Sequence, residues 1–349
     1  MQNNPVVVTA AALIILTWLR YAQDLVVPFL LALFITVIAA APMGWLRKRG
    51  MSPLASTVTV FMGIVFIELL MAALLGGSLH AFTSKLPEYQ EHLRQMSDQV
   101  LGLLARIGLD TSHSAIREVI DPGSVMAFAN RLVSSIGEGL SHTFLLMFTV
   151  FFMLAESWEL PAKLAAVGTR RSRQTVLRAM EIIESTKQYT SIKALMSLVT
   201  GMLVWAGTSL LGLDFAVLWG FIAFMLNFIP TIGSIIAAVP AVLLAVVQLG
   251  PVMALAVAAL YVAVNMIIGN IIEPRYMGRR VGLSTLVVFL SMVFWGWLLG
   301  PVGMLLSVPL TMVAKFAFQA NENTRWVAIL LGPEMALQNA PEADEASAS

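Results

Sequence analysis

Few side chains in this chain could do chemistry, and most of those lie inside long apolar runs. Asn227 lies within the run Phe215–Leu249, just before its break at Phe228-Ile229-Pro230. Asn265, Asn270 and Glu273 fall within an arc of about 140° at 100° per residue, which makes one polar side on an otherwise apolar helix. Glu68 stands alone in the middle of another apolar run. Polar and ionisable groups at membrane depth are costly, so each is a functional candidate by default. Two chemistries are open to such a set. Neutral amides and freed backbone groups can hold a polar solute, and a carboxylate can hold a coupling ion. Asn227 either orients its own backbone or contacts the solute. Glu273 precedes Pro274-Arg275, so an ion pair with Arg275, Arg279 or Arg280 competes with a coupling role. Glu68 is read either as a proton site or as a protonated hydrogen-bonding group between helices. Ser284 and Thr285 open an apolar run and are expected to cap it.

Other chemistries lack their residues. With no cysteine there is no disulfide, thiolate metal site, cysteine nucleophile or iron–sulfur cluster. His80, His92, His113 and His142 lack metal-ligand spacing. No GxxxxGK[ST], strand-borne GxGxxG or GxSxG occurs, and no Ser/His/Asp or paired-Asp constellation is visible, so neither an enzyme nor an ATP-driven pump is expected. No cofactor or metal is expected. A net charge of +1 gives no field for nucleic acid.

The elements that must position these groups follow from composition. Of 349 residues, 58% are hydrophobic and 12% charged, with a mean hydropathy of +0.84. A soluble chain carries roughly a quarter charged residues. This is the composition of an all-α integral membrane protein. About 20 apolar residues cross a hydrocarbon core of roughly 30 Å. The runs Val6–Leu19, Leu25–Trp45, Pro53–Leu79, Leu140–Ala155, Ile192–Leu213, Phe215–Leu249, Val252–Ile272 and Leu283–Phe318 make about eight transmembrane elements. No Lys or Arg precedes the first run and a second follows at once, so it is expected to be retained rather than cleaved. Arg47–Arg49, the basic stretch Lys163–Arg178 and Arg275–Arg280 place their loops in the cytoplasm. Both termini are then cytoplasmic, and residues 80–139, with five basic against seven acidic side chains, face outside. Trp18, Trp45, Trp158 and Trp326 sit near segment ends as interfacial anchors.

Five regions result. Residues 1–79 form an N-terminal transmembrane scaffold. Residues 80–139 read as an amphipathic, surface-lying extracytoplasmic helical cap, with an apolar stripe from Tyr89 to Ile107 after Pro87 and a second helix after Asp121-Pro122. Residues 140–190 hold a helix and a basic cytoplasmic segment. Residues 191–318 form the transport core, and residues 319–349 a polar cytoplasmic tail whose end is expected to be disordered.

Two of the apolar runs exceed one span, and proline and glycine interrupt both. One reads Trp219-Gly220, Asn227-Phe228-Ile229-Pro230-Thr231-Ile232-Gly233-Ser234, Val239-Pro240. The other reads Trp295-Gly296, Gly300-Pro301-Val302-Gly303, Val308-Pro309. Each follows one ordinary span, and the two preceding spans run in opposite directions, which makes the pair an inverted repeat. Such paired, broken segments are the best sequence pointer to a transporter site. If each is a re-entrant hairpin, the tips Pro230–Gly233 and Gly300–Gly303 meet near the midplane. The alternative is two kinked helices or short loops between full spans. Expected solute contacts are Asn227, Pro230, Thr231, Gly233, Ser234, Asn265, Asn270, Gly300 and Gly303. Glu273, Arg275 and Glu68 are the coupling or ion-pair candidates.

The motifs Asn227–Gly233 (NFIPTIG), Gly269–Gly278 (GNIIEPRYMG) and Gly282–Thr311 resemble the autoinducer-2 exporter family. Val26–Val37 and the segment beginning at Leu86 (LPEY) extend the likeness over nearly all residues up to about 330. The resemblance implies a bacterial inner-membrane homopentamer that exports a small polar furanone-type signal; alternating access of a site between the two hairpin tips is the mechanism expected for it. Its partners would be that solute, the bilayer and copies of itself. Other members are associated with sodium/proton exchange, so an antiporter stays open, as does a pentameric channel. This chain has Ala41-Pro42 where the family often has Asn-Pro.

Overall fold

The computed structural model describes residues 5–106, 127, 131, 143–157, 163, 172–230, 232–277, 282–319 and 324–332. All regular structure among them is helical. Six described helices are long and apolar enough to cross a membrane, and Leu145–Ser157 and Ala216–Leu226 are shorter apolar helices. Large apolar side chains such as Phe66, Leu195 and Leu255 lie exposed on these helices. In water such surface would be a liability; in lipid only the backbone must be satisfied internally, and helices do that.

The chain divides into two compact units. The first comprises residues 1–61, 148–194 and 274–349. It contains α1 (Pro5–Tyr21), α2 (Gln23–Lys48), most of α4 (Thr143–Ser157), the first part of α5 (Ser172–Leu210), α10 (Thr285–Leu305), α11 (Ser307–Gln319) and α12 (Arg325–Leu330). Within it α1, α2 and α10 pack together, and α10, α11 and α12 pack in sequence. Exposed Trp18 and Trp45 stand near helix ends, where the sequence puts interfacial anchors. The Arg49 guanidinium lies 3.8 Å over the Trp45 ring, a pairing suited to a membrane edge.

The second unit comprises residues 62–147 and 195–273. It holds most of α3 (Pro53–Arg106), the rest of α5, α6 (Ala216–Leu226), α7 (Ile232–Leu249), α8 (Pro251–Val264) and a π-helix (Asn265–Ile272), which continues into α9 (Glu273–Met277). Helices α5 and α6 cross at paired glycines. A Cβ on Gly201 would lie 2.8 Å from the Gly220 carbonyl oxygen, and one on Gly220 would lie 2.8 Å from that of Gly201. Small residues let two backbones approach this closely, which is how helices associate where lipid offers no hydrophobic drive.

The cap is organised differently from the sequence expectation. Rather than a span followed by a separate surface helix from Pro87, α3 runs unbroken through Pro87 for 54 residues, about 80 Å at 1.5 Å per residue. Proline in a helix interior removes one hydrogen bond, but a single such loss does not outweigh a helix whose two sides propagate cooperatively. The stripe beginning at Tyr89 therefore continues the spanning helix. The helix expected after Asp121-Pro122 lies outside the described residues, as does Trp158.

Candidate functional site

The first broken segment builds the site. Helix α6 has 11 residues, about 16 Å, too short to cross the hydrocarbon core alone. It ends at Asn227, whose N–H still bonds to Ala223 O. After the turn at Phe228–Pro230, α7 begins, and α6 and α7 pack on each other. The reversal is tight enough to require glycine. A Cβ on Gly233 would sit 1.8 Å from the Leu226 carbonyl oxygen.

The doubling-back brings Ala223 of α6 opposite Ala237 of α7, and the gap is closed by Thr200 and Val204 of α5 and by Tyr261, Val264 and Asn265. Asn227 and Ser234 complete the lining. The Asn227 amide Nδ2 donates to Ser197 Oγ at 2.9 Å, and both side chains are buried. It thus ties the break to α5 instead of capping its own helix. The Thr200 Oγ1 and Tyr261 hydroxyls are buried without a hydrogen-bond partner. The cavity volume is about 10 Å³, room for about one water. No lining side chain is charged. Asn265 opens the π-helix, a local form often found at functional sites.

A second polar cluster fixes the other end of α6. Lys85 Nζ and Tyr89 OH of α3 both donate to Asp214 Oδ2, at 2.8 and 2.9 Å. The Asp214 N–H donates to Gln248 Oε1, and Trp219 Nε1 donates to the Asp214 carbonyl. The Lys85 ammonium holds the Asp214 carboxyl below the usual carboxylate range, against the opposing effect of burial, with Tyr89 adding to the lowering. The next residue, Phe215, has φ +59°, a strained value for a bulky side chain. The Phe82 ring packs edge-on against it at 5.6 Å and against Trp219 at 6.1 Å.

The second break, in the other unit, repeats the local logic. Gly300 has φ +68° and ψ −154°, a region essentially reserved for glycine. A Cβ on Gly303 would lie 1.9 Å from the Trp295 carbonyl oxygen, and Trp295 Nε1 donates to Thr311 Oγ1 at 2.9 Å. The chain doubles back here too. Ser284 Oγ accepts from Val287 N and caps α10, as its position in the sequence suggests.

Of the expected site residues, the structure gathers Asn227, Ser234 and Asn265 around one cavity, with Pro230 and Gly233 shaping its turn. Gly300 and Gly303 shape the second turn, and Thr231 lies outside the described residues. Asn270 is exposed and does not line the cavity. Glu68 and Glu273 are half-buried and Arg275 is exposed. Among the described residues no three His, Asp or Glu could hold a metal ion. Sequence reasoning missed Ser197, Thr200 and Tyr261. Tyr261 carried a signal, because tyrosine favours the interface and this one stands in the middle of an apolar helix.

Comparison with known proteins points to membrane transport. The sequence model of one family, described as "AI-2E family transporter", matches residues 6–323. The chain is 41% identical to the "AI-2 transport protein TqsA" of Escherichia coli K12, covering 93% of this chain and 94% of that one. A "Putative transport protein" of Haemophilus influenzae is 39% identical, covering 95% and 98%. The "Putative transport protein YhhT" of Escherichia coli K12 is 36% identical, covering 93% of each.

Proposed function

We infer the function of this chain, which belongs to the AI-2E transporter family and is a multi-pass membrane protein, from that membership and from its cavity. We propose that it exports a small polar signalling metabolite, autoinducer-2, across the bacterial inner membrane, with the Asn227 cavity as the solute site. The observation that carries this reading is the cavity's lining. Two amides and three hydroxyl-bearing side chains surround it, two of the hydroxyls lack partners, and no lining group is charged. Such a set suits a neutral, hydroxyl-rich solute. A buried, unpaired hydroxyl costs free energy until something bonds to it, and a solute hydroxyl is the natural supplier. The similarity to a protein named for AI-2 transport supports the choice of solute.

The cavity has room for about one water, so in this conformation it is narrower than a metabolite needs. Loading requires the α6–α7 turn to move away from α5 and α8. The two broken segments act as re-entrant hairpins of an inverted repeat, among about eight membrane elements, and their movement supplies alternating access. Homopentamer assembly and cytoplasmic termini belong to the same reading.

The test is flux in proteoliposomes. Labelled autoinducer-2 and sodium-dependent proton movement would be followed in parallel for wild type, Asn227→Ala and Glu273→Gln. The reading expects saturable signal flux that Asn227→Ala abolishes and Glu273→Gln leaves intact. Sodium-driven proton flux without signal flux would refute it.

A further inference from the structure

The α6–α7 pair is held differently at its two ends. At its base, Gln248 near the end of α7 accepts from Asp214 N at 2.9 Å and donates to Gly212 O at 3.1 Å. The last turn of α7 is thereby tied to the start of α6. Lys85 and Tyr89 of α3 grip the Asp214 carboxylate, and the buried Phe82 ring packs on Phe215 and Trp219. Midway, α5 and α6 touch backbone to backbone at Gly201 and Gly220. At the tip, Asn227 Nδ2 donates to Ser197 Oγ of α5 at 2.9 Å.

The tip bond is the one built to exchange. It joins two neutral groups, so breaking it strands no charge, whereas release at the base would part the Lys85 ammonium from the Asp214 carboxylate. Each partner also has another bond within reach. A serine inside a helix can turn its hydroxyl to a carbonyl of its own helix, as the Thr208 hydroxyl does at 2.7 Å. Asn227 lines the cavity, so its amide can donate to an oxygen placed there. Ser197 Oγ is a hydroxyl oxygen, chemically the same acceptor that a hydroxyl-bearing solute would offer.

We propose that the Asn227–Ser197 hydrogen bond is the latch of the site. Ser197 Oγ occupies the donor that the solute needs, and a solute that offers its own oxygen to Asn227 Nδ2 frees the turn. The tip then swings away from α5 while the base stays fixed. Ser197 sets the affinity, because binding must first give up this bond and is weakened by the cost of doing so. The proposal rests on the reading of the cavity as the solute site.

The chain has no cysteine, so an introduced one reports on a single position. Ala237, 1% exposed, lines the cavity, and Ala245, 0% exposed, lies on α7 near the base. Each is changed to cysteine in the full chain, with and without Ser197→Ala, and labelled in detergent with a small hydrophilic methanethiosulfonate. Ser197→Ala is expected to speed labelling of Ala237→Cys at least about fivefold and to leave Ala245→Cys unchanged. Equal acceleration at both positions, or none at either, would overturn the latch. Equilibrium binding of labelled autoinducer-2 tests the exchange. Removing the competing hydroxyl should tighten binding at least about threefold. Weaker binding would make Ser197 a residue that positions Asn227 for the solute, and that result or unchanged binding would overturn the exchange. If the chain with Ser197 in place binds no autoinducer-2, the cavity is not its site and the exchange falls with that reading, while the labelling still decides the latch.

Discussion

Tyr261→Phe separates a solute-binding hydroxyl from a structural one. Tyr261 is 6% exposed, and its hydroxyl has no partner in a cavity large enough for about one water. The substitution removes one oxygen and keeps the ring, so the packing around it is retained. An unsatisfied buried hydroxyl costs about 1–3 kcal/mol, partly relieved when a water occupies the cavity. The solute-free variant is therefore expected to gain about 1–2 kcal/mol, which raises its melting temperature by a few degrees. With solute bound the hydroxyl makes its hydrogen bond, worth about 0.5–1.5 kcal/mol net. Losing it weakens binding by roughly twofold to tenfold. Thermal unfolding in detergent with and without autoinducer-2, beside flux in proteoliposomes, reads both quantities. A variant that melts lower and transports like wild type would show that the hydroxyl holds the fold, and the reasoning would fail.

Three further substitutions probe the breaks, and one probes the clasp at Asp214. Gly233→Ala and Gly303→Ala put a Cβ within 2 Å of a carbonyl oxygen and should cost at least about 3 kcal/mol, seen as loss of monodisperse protein. Gly300→Ala meets no atom within 4 Å, so only its backbone strain of about 1–3 kcal/mol counts, and it should remain foldable with a lowered melting temperature. Asp214 titrates below its unfolded value near 3.9, so its contribution is fully present above about pH 4 and is lost as pH falls through the folded pKa. Asp214→Asn should therefore lower stability at neutral pH and flatten the decline on acidification, checked by melting temperature against pH.

What the sequence made legible follows from where its rules are strong. Apolar runs of span length became helices. Proline and glycine around Pro230, Gly233 and Gly300–Gly303 marked the breaks, because Gly233 and Gly303 leave room for a carbonyl oxygen and Gly300 takes a positive φ. Asn227, Ser234 and Asn265, which line the cavity, stood out in the sequence because an amide or hydroxyl in an apolar run does. Pro87 misled because proline breaks a helix only when the rest is weak, and α3 is not. The π-helix after Asn265 has no pattern at the level of residue type, so the sequence shows neither it nor the exposure of Asn270. Thr200 was invisible because threonine in a membrane helix normally bonds to its own backbone, as Thr208 does. Only the structure shows that it does not.

The most direct test of the cavity as the solute site uses the two asparagines that the sequence treated alike. Asn265 lines the cavity and Asn270 is exposed five residues away. Efflux of labelled autoinducer-2 from proteoliposomes would be measured for wild type, Asn265→Ala and Asn270→Ala. The account predicts at least about tenfold loss for Asn265→Ala, the equivalent of about 1.4 kcal/mol, with Asn270→Ala close to wild type. Equal losses, or a loss confined to Asn270→Ala, would contradict it.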